Sequence, residues 1–361
     1  MEVVSSIIAV YVGVMRLSDT FTSAIDQTSP AVLLPASIAA LEQPPSKPAL
    51  RLQAGMSLAE AGSAVMSHHF GRLLASEAGT IEGSDPEALH DMRVATRRLR
   101  ATMRVFRDGF DRATLAALAE EVSWLAGVLG RVRDLDVFLL WLADHEKVAG
   151  AAEGAAVRLA MEAFAATRAR ERQELLEVLR SERYAQLKHS LQAALQPLAP
   201  QAVSEDDTSP AADGKEQALG SFARGAIRRQ LRAVRTWARR PSAGDLERLH
   251  RLRIASKRLR YTCEFLADLF PDRLEELIAT VVPVQDALGG MRDAHLQRRL
   301  VRDLAEAGCH DRALRRGLAR LRRALRQQEC RRYQSFLEVR PSLLSRPARR
   351  RTKKSLRASE G

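Results

Sequence analysis

Apolar residues recur every three to four positions from Met56 to about Gln196, and again from Leu219 to Leu337. That is the period of amphipathic helices, and it predicts an all-α chain. The first run is interrupted at Gly79 to Pro86 and near Gly130, which predicts breaks at both places. Residues 1–55 hold no sustained period and contain Pro30, Pro35, Pro44, Pro45 and Pro48, so they read as an irregular leader. Residues 197–217 are acidic and rich in Pro, Ser and Ala, with little to bury, and read as a flexible linker. The expected plan is a first helical bundle over 56–196 and a second over 218–340. Pro341 is predicted to end the ordered chain, leaving 341–361 as a basic, disordered tail.

The two helical runs echo one another. Residues 88–110 (ALHDMRVATRRLRATMRVFRDGF) align without a gap on 248–270 (RLHRLRIASKRLRYTCEFLADLF), with 10 of 23 positions identical. A second echo lies downstream, where Leu129-Gly130-Arg131-Val132-Arg133-Asp134 matches Leu288-Gly289-Gly290-Met291-Arg292-Asp293. Two motifs in the same order, at offsets of 160 and 159, point to an internal duplication. The expectation is two repeated bundles related by pseudo-two-fold symmetry.

Composition agrees with helix. Gly and Pro number 20 and 14, aromatics are 5%, and Ala, Leu, Arg and Glu are plentiful. The net charge of +13 is less informative than it looks. Residues 342–361 carry seven Lys/Arg against Glu360, contributing +6 and leaving +7 for 1–341. Such a tail is a candidate for non-specific nucleic-acid contact. Three scattered cysteines with no C-x-x-C exclude a disulfide framework and fit a reducing cytoplasm. The apolar stretch Val3 to Met15 follows Glu2 where a signal peptide has basic residues, and it is too short to span a bilayer. A cytoplasmic protein without a membrane partner is expected; a mis-assigned start or a remnant of a larger protein would explain the stretch.

The charge that matters is patterned. On a helical wheel His90, Arg93, Arg97, Arg100 and Arg104 fall within roughly 80° of arc, beside an apolar stripe of Leu89, Met92, Ala95, Leu99, Met103 and Phe106. His250, Arg253, Lys257 and Arg260 repeat the arrangement beside Leu249, Leu252, Ala255, Leu259 and Leu266. Like charges one turn apart destabilise an isolated helix by roughly 0.2–0.5 kcal/mol per pair. Few acids are at hand: Asp91 and Asp108 lie off the first face, and Glu264 replaces Arg104 in the second. An external polyanion resolves the repulsion, because Arg forks match phosphate oxygens, Lys adds a point charge and neutral His still donates. Arg98 and Arg258 point elsewhere and, with Arg133 and Arg292 of the downstream echo, form a second tier. The acids Asp134 and Asp293 are expected to cap or brace helices after the Gly breaks.

These motifs, His90 to Arg100 and His250 to Arg260 with the two Arg-Asp echoes, resemble the signature of the CHAD (conserved histidine α-helical domain) family over about residues 56–340. The resemblance implies paired helical bundles, a basic surface binding inorganic polyphosphate, and association with polyphosphate granules. The segment Pro44 to Leu52 resembles the linker that follows a CYTH domain in CYTH–CHAD fusions. The E-x-E-x-K strand by which CYTH domains hydrolyse triphosphates occurs nowhere in this sequence.

No G-x-x-x-x-G-K-S/T, H-E-x-x-H or G-x-S-x-G is found, so the reading is a binding protein without catalytic residues or cofactor. His90 and His250 sit on separate copies with Arg93 and Arg253 at i+3, and cationic neighbours disfavour a divalent metal. A nucleic-acid-binding protein using the same faces and tail is the main alternative, opposed by the lack of interleaved aromatics for base stacking. An accessory domain of a triphosphate- or polyphosphate-metabolising enzyme, or a scaffold for an acidic protein, are the others.

Overall fold

In the computed structural model, residues 51–195, 219–270, 274–307 and 311–345 are described. The leader up to residue 50, the acidic linker and the tail from 346 lie outside these residues. Helices form where local signals start and stop them. Ser57 opens α1 (Leu58–Glu82) with a reciprocal capping box to Glu60. Gly83 closes it in the left-handed conformation, at φ 76°. Arg172 donates to the Thr80 and Ile81 carbonyls at 3.2 and 3.0 Å, satisfying the end of the same helix. Asp85 accepts from the Glu87 amide and Pro86 supplies the first turn of α2 (Pro86–Val105).

A 3-10 turn (Arg107–Gly109) leads into α3 (Arg112–Glu146), followed by α4 (Ala151–Arg180) and α5 (Glu182–Leu195). After the linker come α6 (Leu219–Trp237) and α7 (Leu246–Phe265), the latter capped by Asp245. A second 3-10 turn (Ala267–Leu269) precedes α8 (Glu275–Glu306) and α9 (Arg312–Val339). Pro341 does not end the order as expected. It starts a short turn, α10 (Pro341–Leu344), which buries Leu343 against the core. There is no strand among the described residues, and the fold is all-α.

The expected break near Gly130 is absent, because α3 runs unbroken through it and α8 runs through Gly289 and Gly290. A glycine inside a helix costs only about 1 kcal/mol relative to Ala, and packing around these helices outweighs that. At Gly290 a Cβ would lie 2.7 Å from Arg332 Nε of α9, so the Arg332 side chain would have to shift to admit a larger residue.

The echoed segments occupy matching elements: an Asp-capped helix, a 3-10 turn and a long helix. The apolar core, however, is not partitioned between 56–196 and 218–340. One cluster, including Met66, Leu99 and Leu125, belongs to the first half alone. A second joins Ala61, Val65 and Phe106 to Leu252, Leu259 and Val284. A third joins Phe138 and Phe164 to Val301, Leu318 and Leu321, where α4 packs on α9. α2 and α7 also touch directly. Helix α3 is long and apolar enough to cross a membrane by length and composition. Its Val122, Leu125, Leu129 and Phe138 are buried in these clusters.

Gly62 tests the fit of α1. A Cβ there would sit 2.6 Å from the Phe110 ring and 2.8 Å from Phe106 Cβ, which is tied to the backbone and cannot swing aside. Gly62→Ala is therefore expected to lower stability by about 1–2 kcal/mol in urea unfolding, despite the better helix propensity of Ala. A more stable variant would show that the packing around α1 yields.

Candidate functional site: a half-buried cationic centre between the motif helices

His90 and His250 stand near the starts of α2 and α7, and Arg133 and Arg292 well inside α3 and α8. Arg133 and Arg292, one on each long helix, act electrostatically on His90 and His250 respectively. Arg93 is influenced by Asp134 and also by Asp293 of the other half. Asp293 in turn is influenced by Arg253, Asp134, Arg292 and Lys257. The two stripes thus converge on a pair of carboxylates, with Arg93, Arg97, Arg133, Arg253, Lys257 and Arg292 around them.

Depth divides the stripe. Arg93, Arg253 and Lys257 are only 4%, 2% and 7% exposed, whereas His90, Arg97, Arg133, His250 and Arg292 are half-buried. The deep cations belong to the frame of the site. Arg93 meets Asp134 at 3.5 Å. This corrects the expectation for the Arg-Asp echo: Asp134 and Asp293 lie in mid-helix and cap nothing, but supply the internal counter-charge that the motif helices lack. A buried guanidinium without such a partner would be prohibitively unstable. Asp293 Oδ2 is shielded from water and makes no hydrogen bond. Arg97 Nε and His250 Nε2 are likewise covered and without a hydrogen-bond partner.

The ends of the stripes diverge. Arg260 turns to Glu264 at 2.5 Å, and Glu264 is also held by Arg98 of α2 at 3.1 Å, a link between the halves. Arg98 further lies 6.0 Å from the Tyr261 ring centroid. Both are thus engaged internally, and Arg258 is exposed on the far side of α7. Arg100 and Arg104 open instead into a cleft of about 850 Å³ between α2 and α3, shared with Arg107, Arg112 and Arg131. Arg131 is committed to Glu171, at 2.6 Å, and Glu174. The sequence reading missed Asp134 and Asp293 as members of the site. Their recurrence beside Arg133 and Arg292 was the available signal.

Burial sets the protonation. It pushes the His90 imidazole down to about 4, helped by Arg133, Arg97 and Arg93. His250 is lowered by burial and then by Arg292 and Arg253. His69, buried against Phe265, is also lowered, chiefly by burial. All three are neutral at pH 7. Burial pushes the Asp293 carboxyl up to about 7, against the pull of Arg253.

The pH dependence follows. Between about pH 4 and 6.5 the unfolded chain protonates His69 and His90 while the folded chain does not, and the lowering of His250 acts in the same direction, so stability is lost as pH falls. Asp293 opposes this, since the folded chain holds its proton up to about pH 7 while the unfolded chain releases it near 4. His69 and His90 together outweigh the one carboxyl, and His250 adds to them. The urea midpoint is expected to climb from pH 4.5 to 6.5, and more steeply in Asp293→Asn. A midpoint falling over that range would contradict the neutral histidines.

The CHAD domain family model matches residues 64–302. Among solved structures, the chain is similar to the CHAD domain from the plant Ricinus communis, with a TM-score of 0.59 and 26% identity over 88% of this chain and 97% of that one. It is also similar in fold to PptA from Streptomyces chartreusis, with a TM-score of 0.60 and 17% identity over 79% of this chain and 99% of that one. No curated protein matches the sequence. The matched span contains both His-Arg motif helices and both Arg-Asp echoes, and the chain belongs to the CHAD family.

Proposed function

We propose that this protein binds inorganic polyphosphate, without catalysing its breakdown, through the cationic centre where α2 and α7 face α3 and α8. The observation that carries the reading is the charge balance there. Arg93, Arg97, Arg133, Arg253, Lys257 and Arg292 stand about Asp134 and Asp293, and the one further acid acting on the motif histidines is the exposed Glu247, near His250, among the described residues. The internal acids stand beside the deep cations, and the anion is assigned to the shallower Arg97, Arg133 and Arg292, with His90 and His250. Charge-assisted hydrogen bonds of this kind contribute about 1.5–3 kcal/mol each.

The recessed position favours a thin ligand. A polyphosphate chain has no sugars or bases to hold its phosphates away from half-buried arginines, whereas a nucleic-acid backbone does. Arg100 and Arg104, in the adjoining cleft, extend the path along the same face of α2. Arg98 and Arg260 are secondary, because Glu264 occupies both. The proposed setting is the cytoplasm, at polyphosphate granules, and no membrane partner is invoked.

Competition decides between this reading and generic electrostatics. Long-chain polyphosphate is expected to displace fluorescent polyphosphate from the full chain at least tenfold more effectively than duplex DNA or RNA at matched phosphate and salt. Equal displacement by all three would reduce the site to non-specific anion attraction. Release of phosphate from polyphosphate or triphosphate in the presence of a divalent metal would overturn the non-enzymatic reading.

A further inference from the structure

Helix α9 carries a second basic face that the motif helices do not share. Arg312, Arg316, Arg320, Arg323, Arg326 and Arg331 are all exposed, and none makes an ion pair among the described residues. The opposite face of the helix is buried through Gly317, Leu318, Leu321, Leu325 and Phe336, which fixes α9 against α4 and α8. Its rotation is therefore set by the core, and the arginines are presented outward. No acid occurs between Arg312 and Gln328, and α9 contains no Lys. At 1.5 Å per residue and 100° per residue, the six span about 28 Å and an arc of about 140°.

We propose that this face docks the phosphate backbone of a nucleic-acid duplex, independently of sequence. Length alone would suit any polyanion, but width selects. A linear polyphosphate offers one row of charges and can follow one line along a helix. An arc of about 140° presents arginines to two lines on either side of the helix crest. A duplex supplies such a pair, its two strands flanking a groove about 6 or 12 Å wide. Arginine suits phosphodiesters because its fork pairs two oxygens at once. The face lacks aromatics, so stacking on unpaired bases has no platform. Large apolar side chains are likewise absent from it, which leaves nothing to insert into a lipid surface. The recessed centre and the convex α9 face would then hold two different phosphate polymers on one protein.

The test uses the full chain, so that the basic tail contributes equally in every arm. In fluorescence anisotropy with a labelled duplex, the variant R312Q/R316Q/R320Q/R323Q is expected to bind at least tenfold more weakly than the parent. Its log–log salt slope should be smaller by about 3–4, since each phosphate that an arginine neutralises adds near 0.9 to it. Polyphosphate affinity should stay within twofold, and the urea midpoint should be unchanged because the four side chains are exposed. Cys330 lies on the same face and is exposed, while Cys263 is buried. In a C309S background, duplex should therefore slow maleimide labelling of Cys330, and polyphosphate should not.

Undiminished duplex binding by the variant would overturn the proposal, as would failure of the parent to bind duplex. A parallel loss of polyphosphate binding would also overturn it, by making α9 part of the polyphosphate path. Equal affinity for polyglutamate at matched charge would replace the duplex with an acidic protein. Failure of the polyphosphate competition with these duplex results intact would remove the proposed function and leave this inference standing.

Discussion

Neutralising the half-buried arginines together, as R97Q/R133Q/R292Q, is expected to weaken polyphosphate binding by at least a thousandfold while the protein stays folded. Each arginine stands to lose charge-assisted hydrogen bonds of about 1.5–3 kcal/mol. A loss of about 4 kcal/mol for the three, allowing for non-additivity, corresponds to three orders of magnitude. The choice of residues rests on depth. Arg97, Arg133 and Arg292 remain partly open to solvent, and Gln keeps their apolar stems and helix propensity. Titration calorimetry with polyphosphate measures the loss, and circular dichroism with urea unfolding checks the fold. Unchanged affinity in a folded triple variant would sink the assignment.

Charge reversal of a deep cation should do something different. Arg253→Glu is expected to cost at least about 4 kcal/mol of stability, enough to leave much of the chain unfolded at 37 °C. Arg253 is 2% exposed and faces Asp293, which is itself beside Asp134. Reversal would remove the cation that acts most strongly on Asp293 and set a buried carboxylate against it. Arg253→Met should be milder, because the apolar chain fills the space and Asp293, already pushed up to about 7, can take a proton. Adding Asp293→Asn should recover part of that loss. Wild-type stability in Arg253→Glu would mean that the centre is far wetter than its burial indicates.

These two results would separate residues that look equivalent in the sequence. On the wheel Arg93, Arg97, Arg253 and Lys257 share one stripe, and a reading of periodicity alone treats them as one binding surface. A stripe gives direction about a helix axis but not depth. Depth depends on what stands opposite, and here α3 and α8 bring Asp134 and Asp293 to the deep end. The same limit applies to Arg98 and Arg260. Their common partner Glu264 is an i,i+4 neighbour of Arg260, but Arg98 reaches it only because α2 packs on α7.

The glycine breaks expose a related limit. Near Gly130 and Gly289 local propensity argued for interruption, yet the flanking apolar residues are long and periodic enough to carry α3 and α8 through. The break expected within Gly79 to Pro86 does occur, at Gly83, whose left-handed backbone lets its amide reach the Gly79 carbonyl and close α1.

The sequence by itself determined the helical runs, the break before Pro86 and the two echoed cationic stripes. All of these are local, written in spacings of three, four and seven along one chain. Tertiary structure alone decided which cations are buried beside carboxylates and which face solvent. It also decided that the apolar core crosses between the halves, and that the arginines of α9 lie outward. Those outcomes depend on distances between residues far apart in the chain, and helical periodicity carries no information about them.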